Sequence, residues 1–151
     1  MNEPASQSEN QDFELEMFLP YRLSLLSNTV SQGISSTYRK RHGLSVTEWR
    51  VIAVLGRFPG LTASEVVART AMDKVTISRA VKKLLSRHLI ERKLQEGDRR
   101  RMSLQLTPGA GRRLFRAIVP KARRYEGALL DALKEPELAQ LDVLLGKLQR
   151  A

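Results

Sequence analysis

The chain has 151 residues, 42% of them hydrophobic, and a formal net charge of +10 at pH 7. This length suits one folded domain with a sizeable core, and the basic balance predicts a polyanionic partner without choosing among DNA, RNA and an anionic membrane. Because the sequence contains no cysteine, it excludes a thiol redox sensor, a thiolate zinc site and a disulfide framework.

The N-terminal segment differs in composition from the rest of the chain. Residues 1–12 are polar, so we expect a flexible arm there, followed by a single domain over 13–151. The first residues lack the apolar run of a signal peptide, and no stretch approaches the roughly 20 apolar residues of a membrane span. We therefore expect a cytoplasmic protein with no membrane partner.

The first predicted helix runs from Pro20 to about His42. Proline fits the first turn of a helix, where its missing N–H costs nothing, and Gly43 suits the position just past the end. Apolar residues recur at helical spacing along one stripe, at Leu23, Leu26, Val30, Ile34 and Tyr38.

Two capping boxes predict two short helices in the middle of the chain. In each box a hydroxyl residue is followed three positions later by a glutamate, as in Ser45 with Glu48 and Thr62 with Glu65. We expect these helices over about 46–58 and 63–69.

A third capped helix is the candidate reading element. Asp73 can cap a helix from Lys74 to about Arg87, which completes a helix-turn-helix with the preceding short helix. Its predicted outward residues are Lys74, Thr76, Ser78, Arg79, Lys82 and Lys83. We expect the first four to reach base edges, because they lie toward the N-terminal end, and the two later lysines to hold phosphates.

A cationic ribbon follows, with strands predicted over about 89–95 and 101–107 and a turn at Glu96-Gly97-Asp98. Between Lys74 and Arg101, ten Lys and Arg residues stand against three acids, so this segment carries +7 of the formal +10. A basic helix followed by a cationic hairpin is what a protein needs to read the major groove and grip the minor groove of DNA.

The turn of the ribbon holds three arginines, Arg99, Arg100 and Arg101. An acid beside DNA would be repelled, so we expect Asp98 to structure the wing by pairing with Arg100 or Arg99. One arginine is then free to enter the minor groove, where narrow A·T-rich segments concentrate negative potential. We favour Arg100 as this probe, with Arg99 and Arg101 on phosphates, although the sequence does not rank the three.

Two further helices are predicted after the ribbon. Thr107-Pro108 begins a long helix that Pro120 is expected to kink, and Glu135-Pro136 begins the last. The last helix carries an apolar stripe at Leu138, Leu141, Leu145 and Leu148. The terminal helices expose more apolar surface than a small central lobe can cover, so we expect them to pack against a second copy of the chain.

The ribbon resembles the wing of the multiple-antibiotic-resistance regulator (MarR) family in the residues Asp98-Arg99-Arg100, Leu104-Gln-Leu106-Thr107 and Gly111. The segments DKVTISRAVKKL and RHLIER also resemble the family's recognition helix and its exit into the wing. The similarity spans about 18–148. It implies a mainly α, two-fold dimer with a small β-hairpin wing, in which 44–107 form a winged helix-turn-helix lobe and 13–43 and 108–151 form dimerisation helices.

His88 departs from the family pattern, which usually has glycine there. The position is expected to need a left-handed backbone, which histidine tolerates better than most residues. We therefore interpret His88 as a helix cap and not a metal ligand, and His42 is too distant in sequence for standard ligand spacing. We expect no metal and no cofactor.

Members of this family often bind a small aromatic anion between the dimer helices and the DNA-binding lobe. The residues here that suit such a ligand are Tyr38, Arg41, Trp49 and Arg50, since an arginine can hold a carboxylate while an aromatic ring lines the pocket. The alternative is that Trp49 is simply a core residue.

The sequence as a whole predicts a homodimeric, sequence-specific regulator of transcription that binds double-stranded DNA, acts as a repressor and is released by a small ligand. The alternative is an architectural protein that coats DNA with little sequence preference. An enzyme is disfavoured, because the chain lacks a paired acid–base constellation, a phosphate-cradling glycine loop and metal-ligand spacing.

Overall fold

The computed structural model of the protein describes residues 13–151, apart from the side chain of Arg99, so the predicted arm lies outside the described residues. A short 3-10 turn at Leu15–Met17 comes first. The helices are α1 Leu19–Ser35, α2 Arg39–His42, α3 Val46–Arg57, α4 Ala63–Thr70, α5 Lys74–Ser86, α6 Ala110–Leu130 and α7 Glu135–Gln149, and the strands are β1 Ile90–Gln95 and β2 Asp98–Leu106. This mainly helical fold with one small sheet confirms the predicted fold class.

The single helix predicted over 20–42 is wrong, because the chain breaks it into α1 and α2. Three consecutive hydroxyl side chains at the break, those of Ser35, Ser36 and Thr37, each donate a hydrogen bond to the carbonyl three residues earlier. Such local bonds compete with the continuing helical ladder. Helix α2 then ends at Gly43, which has a left-handed backbone with φ of 62°.

The helix-turn-helix forms as its capping residues predict. The Ser45 hydroxyl accepts from the Glu48 N–H at 3.1 Å, and the Thr62 hydroxyl accepts from the Glu65 N–H at 3.3 Å, with both glutamates reaching back to complete their boxes. Helices α3, α4 and α5 pack around one core. Its fully buried aliphatic side chains include Leu44, Val51, Ile52, Leu55, Val66, Ile77 and Leu84.

Helix α5 ends in a Schellman motif centred on His88. The His88 N–H donates to the Leu85 carbonyl at 3.0 Å, and the Leu89 N–H donates to the Leu84 carbonyl at 3.1 Å. His88 has φ of 55°, which confirms the left-handed backbone that the sequence predicts for it. Leu84 and Leu89 are both buried, at the two positions whose apolar contact often accompanies this motif.

Strands β1 and β2 form an antiparallel ribbon whose base joins the core. Ile90 pairs with Leu106 and Leu94 pairs with Met102. The second strand begins at Asp98, three residues earlier than predicted, so the turn shrinks to Glu96-Gly97. At the base, the Leu104 N–H donates to the Leu61 carbonyl at 2.7 Å, so the segment before α4 acts as a short third strand.

Helix α6 begins two residues after Pro108 and continues through Pro120. The Thr107 hydroxyl accepts from the Gly111 N–H at 2.8 Å and donates to the His88 carbonyl at 2.9 Å, tying the helix start to the end of the α5 cap. Helix α7 begins at Glu135 as predicted and buries none of its residues.

Many apolar side chains are exposed at the two ends of the described chain. The exposed side chains on α1 and in the turn before it are Phe13, Leu15, Met17, Phe18, Leu19, Leu23, Leu25 and Leu26, and those near the C-terminus are Leu129, Leu141, Val143, Leu144, Leu145 and Leu148. We call this set the terminal apolar surface. So many exposed apolar side chains on the terminal segments favour an interaction with another apolar surface.

Candidate DNA interface

Helix α5 has one buried and one outward face. Ile77, Ala80, Val81 and Leu84 face the core. At 100° per residue, the positions opposite are Val75, Arg79, Lys82 and Ser86, spaced i, i+4, i+7 and i+11. All four are exposed. We call this row the outward stripe of α5.

Two of the predicted contact residues on α5 have partners within the protein. The Thr76 N–H and hydroxyl both donate to the Asp73 carboxylate, at 2.9 and 2.6 Å. These bonds lower the pKa of Asp73, the hydroxyl bond most strongly. Thr76 is half-buried and completes the helix cap, whereas Lys74 and Ser78 are exposed beside the outward stripe.

Lys83 is the second such residue. Its ammonium lies 3.3 Å from the carboxylate of Glu48, which is only 3% exposed. The other oxygen of that carboxylate accepts from the Ser45 N–H. A buried carboxylate needs such partners because desolvation of an unpaired charge is costly, so Lys83 docks α5 against the start of α3. Sequence reasoning missed this pairing, because Glu48 is already accounted for locally by its capping box.

The wing turn is shaped by Asp98. Its carboxylate accepts from the backbone N–H of Arg100 at 3.0 Å. This bond follows the local pattern that aspartates adopt in turns. Asp98 was predicted to pair with the side chain of Arg100 or Arg99; the Arg100 side chain makes no such pair among the described residues, and the Arg99 side chain lies outside them. The Arg100 side chain is exposed at the ribbon's tip.

Arg101 reaches back from the wing to the start of α4. Its guanidinium donates to the Glu65 carboxylate at 2.7 Å. Hydrogen bonds from Thr62 hold the pKa of Glu65 below its usual range, with Arg101 and Arg69 adding to the effect, so the carboxylate is ionised near neutral pH. The ribbon is thus attached to the helix-turn-helix by a side-chain bridge that sequence reasoning missed.

Arg87 links the end of α5 to the end of α2. Its guanidinium donates to the carbonyls of His42 and Gly43, at 2.8 and 3.2 Å. The buried Nε2 of His42 has no hydrogen-bond partner among the described residues. Burial lowers the pKa of His42, and the charges of Lys121, Arg41 and Arg87 lower it further. No sequence signal pointed to this contact.

Three of the four predicted ligand residues come together and one does not. Tyr38, Trp49 and Arg50 line a cavity of about 150 Å³ between α1 and α3. The ring centroids of Tyr38 and Trp49 lie 5.6 Å apart. Burial raises the pKa of the Tyr38 hydroxyl. Arg41 lies elsewhere, in the surface groove that it shares with His42 and Arg87.

A larger cavity of about 660 Å³ opens between α4, α5 and β1 on the same side as the proposed DNA contacts. Its walls are apolar at Val67, Val81 and Leu85 and basic at Lys82 and Arg92. No sequence pattern indicated this cavity.

Neither a metal site nor a membrane span is apparent between residues 13 and 151. No three His, Cys, Asp or Glu side chains of that range converge as metal ligands would, and none of its helices combines the length and apolarity needed to traverse a bilayer.

The chain is similar in sequence to known regulators of transcription. A sequence profile described as MarR family matches residues 42–101, which cover the helix-turn-helix and most of the wing. The HTH-type transcriptional regulator BilQ of Clostridium symbiosum is 31% identical over 109 residues, 72% of this chain and 75% of that protein. The HTH-type transcriptional repressor NicR of Pseudomonas putida is 32% identical over 85 residues, 56% of this chain and 53% of that protein.

The same fold occurs in solved structures. The MarR/EmrR family transcriptional regulator from Acinetobacter sp. ADP1 superposes with a TM-score of 0.83 at 29% identity, over 91% of this chain and 96% of the other. The likeness therefore includes the terminal helices as well as the winged lobe.

Proposed function

This chain belongs to the MarR family of transcriptional regulators, and we propose that it acts as a homodimeric repressor at a pseudo-palindromic operator. Proteins of this family and fold are regulators and not enzymes, so the prediction that the chain has no enzymatic activity is confirmed. The observation that carries the proposal is the outward stripe of α5 beside an arginine-tipped ribbon. A polar, cationic helix face directed away from the core, next to a cationic hairpin, matches the two grooves of a duplex.

The terminal apolar surface supports the dimer. It lies on the segments that flank the winged lobe, and a surface of this extent is costly to leave in water. Two copies related by a two-fold axis would present two α5 helices to DNA. Half-sites about one helical turn, roughly 10 bp, apart would then be read symmetrically.

The roles that we propose for the individual side chains take account of their contacts within the protein. Lys74, Ser78 and Arg79 remain candidates for base edges, and Lys82 for a phosphate, because they are exposed. We propose Arg100, which is exposed at the tip of the ribbon, as the minor-groove probe. Thr76, Lys83 and Arg101 are assigned mainly to holding the elements in position, because their polar groups have protein partners.

Footprinting on DNA selected from a random pool tests the proposal. We expect discrete protected sites with two-fold symmetry. A uniform ladder of protection would favour the architectural alternative, and a purified monomer that ignores double-stranded oligonucleotides would overturn both.

We also propose that a small aromatic anion relieves repression by binding at Tyr38, Trp49 and Arg50. Their cavity of about 150 Å³ is the size that accommodates one aromatic ring. Arg50 can meet a carboxylate, since its only hydrogen bond among the described residues is a long one of 3.4 Å to the Thr70 carbonyl. Such a ligand acts only if it binds the DNA-free arrangement of the lobes better than the bound one.

Benzoate and salicylate are suitable probes for this site. We expect them to quench Trp49 fluorescence and to release the operator over the same concentration range, and Arg50→Gln to weaken both effects equally. Operator release without quenching, or release that is unchanged in Arg50→Gln, would place the effector elsewhere.

A further inference from the structure

Val75 is an apolar side chain in an unexpected place. It is the second residue of α5 and is 60% exposed, whereas Val81 on the same helix is only 6% exposed. Valine is not a strong helix former, because its branched side chain loses rotamer freedom in a helix. Neither helix propensity nor burial within the chain therefore accounts for valine at this position.

The surroundings of Val75 indicate what it faces. It begins the outward stripe, and Arg79 and Lys82 follow it at one and two turns. Helix α5 contains no acidic residue. A single apolar side chain among cationic ones is a poor match for an apolar protein surface. It is a good match for a polyanion that carries an apolar group at the place where it is recognised.

The major groove offers one such group. Among the four bases, only thymine presents a methyl group there, and the other recognition features are hydrogen-bond donors and acceptors. In helix-turn-helix proteins, residues at the N-terminal end of the second helix approach the base edges. Val75 lies at that end, two residues after the cap Asp73.

We propose that Val75 contacts the C5 methyl of a thymine and makes thymine preferred over cytosine at one position in each half-site. This inference rests on the proposed function and adds a specificity-determining residue that the sequence analysis did not include. Covering one methyl group contributes about fourfold in affinity, from the transfer free energy of a single carbon.

Replacing thymine by deoxyuridine tests the contact, because it removes the methyl and keeps the base pair. After operator selection with the wild-type protein, each thymine of a half-site is replaced singly. We expect one replacement to weaken wild-type binding about fourfold. Val75→Ala should bind the unmodified operator more weakly by a similar factor and should not distinguish thymine from deoxyuridine at that position.

Two controls sharpen the comparison. Lys82→Ala, on the same stripe, should weaken binding yet keep the discrimination between thymine and deoxyuridine. Cytosine and 5-methylcytosine at the same position form the second arm, because 5-methylcytosine restores the methyl group. The wild type should prefer the methylated base there, and Val75→Ala should not. Circular dichroism checks that Val75→Ala remains folded, as expected for an exposed position.

The outcomes separate this inference from the function on which it rests. A discrete operator in which deoxyuridine is tolerated at every thymine, or weakens both proteins equally, would overturn the role of Val75 and leave the regulator intact. Selected half-sites that share no constant thymine would also overturn the role of Val75 and leave the regulator intact. A selection that yields no preferred sequence would overturn both.

Discussion

Arg79 is a side chain whose role depends on which part of the DNA it reaches. It is exposed and lies within the outward stripe of α5. A guanidinium in the major groove can make a bidentate contact with guanine, which carries sequence information.

Arg79→Ala is expected to cost about 1–3 kcal/mol on the operator and to relax specificity at one base position. Competition binding with operator and random duplexes measures both effects. Equal losses on the two kinds of DNA would show that Arg79 does not read a base directly.

Lys82→Ala is expected to weaken operator and random DNA alike, because a phosphate contact carries no sequence information. It should also reduce the slope of log affinity against log salt by about one unit, since one fewer counterion is released. Binding at four or five salt concentrations measures the slope. An unchanged slope would remove Lys82 from the phosphate contacts.

The wing is an element whose position depends on one long-range contact. The bridge from Arg101 to Glu65 joins residues 36 positions apart. Both side chains are about half exposed, so the pair contributes little to global stability. Its expected effect is on where the ribbon meets DNA.

Arg101→Gln is expected to reduce operator affinity without the loss of salt slope predicted for Lys82→Ala, because the charge of Arg101 is already paired. Glu65→Gln retains the capping box, since glutamine also caps, and isolates the bridge. A double-mutant cycle should show that the two changes are not additive. Additive effects with a reduced slope would instead make Arg101 a phosphate contact.

The pH dependence of the bridge follows from the pKa of Glu65, which is lower in the folded protein than in the unfolded chain. Its contribution is therefore present above the unfolded pKa and is lost as pH falls through the folded one. Wild type and Glu65→Gln should converge in operator affinity at acid pH, provided that both remain folded. A difference that persists there would contradict the ion-pair explanation.

The cap of helix α5 includes a residue with a left-handed backbone, His88. His88→Val should destabilise the protein by about 1–2 kcal/mol, because a β-branched residue is strained in the left-handed region. The stability of His88→Gly should stay close to that of the wild type. Glycine relieves the backbone strain at this position, but it also raises the conformational entropy of the unfolded chain, and the two effects offset each other. Urea unfolding of both variants measures the difference. Equal stabilities would show that the backbone conformation at 88 is not under strain.

Dimer formation is predicted to depend on the apolar side chains of the terminal helices. The terminal apolar surface includes Leu145 at the middle of the α7 stripe, with 44% exposure in the single chain. Leu145→Glu would bury a charge against apolar partners if two copies pack there.

We expect Leu145→Glu to produce monomers in analytical ultracentrifugation and to lose high-affinity operator binding, because one copy reads only one half-site. Lys147→Glu is the matched control. It lies on the same helix away from the leucine stripe and should remain dimeric. A Leu145→Glu protein that sediments as a dimer would contradict the assignment of this surface.

Features that depend on neighbouring residues in the chain could be predicted from the sequence. The capping boxes at Ser45 and Thr62, the cap at Asp73 and the left-handed position at His88 all formed as predicted, because each involves backbone groups within a few residues. The sequence also identified the outward basic helix, since helical periodicity separates its two faces. It failed at α1 and α2, where hydroxyl-to-carbonyl bonds competed with the helical pattern.

The availability of a basic side chain for DNA depends on the contacts that the tertiary structure gives it. Lys83 pairs with Glu48, Arg101 with Glu65, and Arg87 with the carbonyls at the end of α2. Each of these contacts spans 35 residues or more, and only the packing of separate helices and strands brings the partners within hydrogen-bond distance. A count of arginines and lysines cannot distinguish them from Arg79 or Lys82, because charge is a property of the residue, whereas its availability depends on what the fold places beside it.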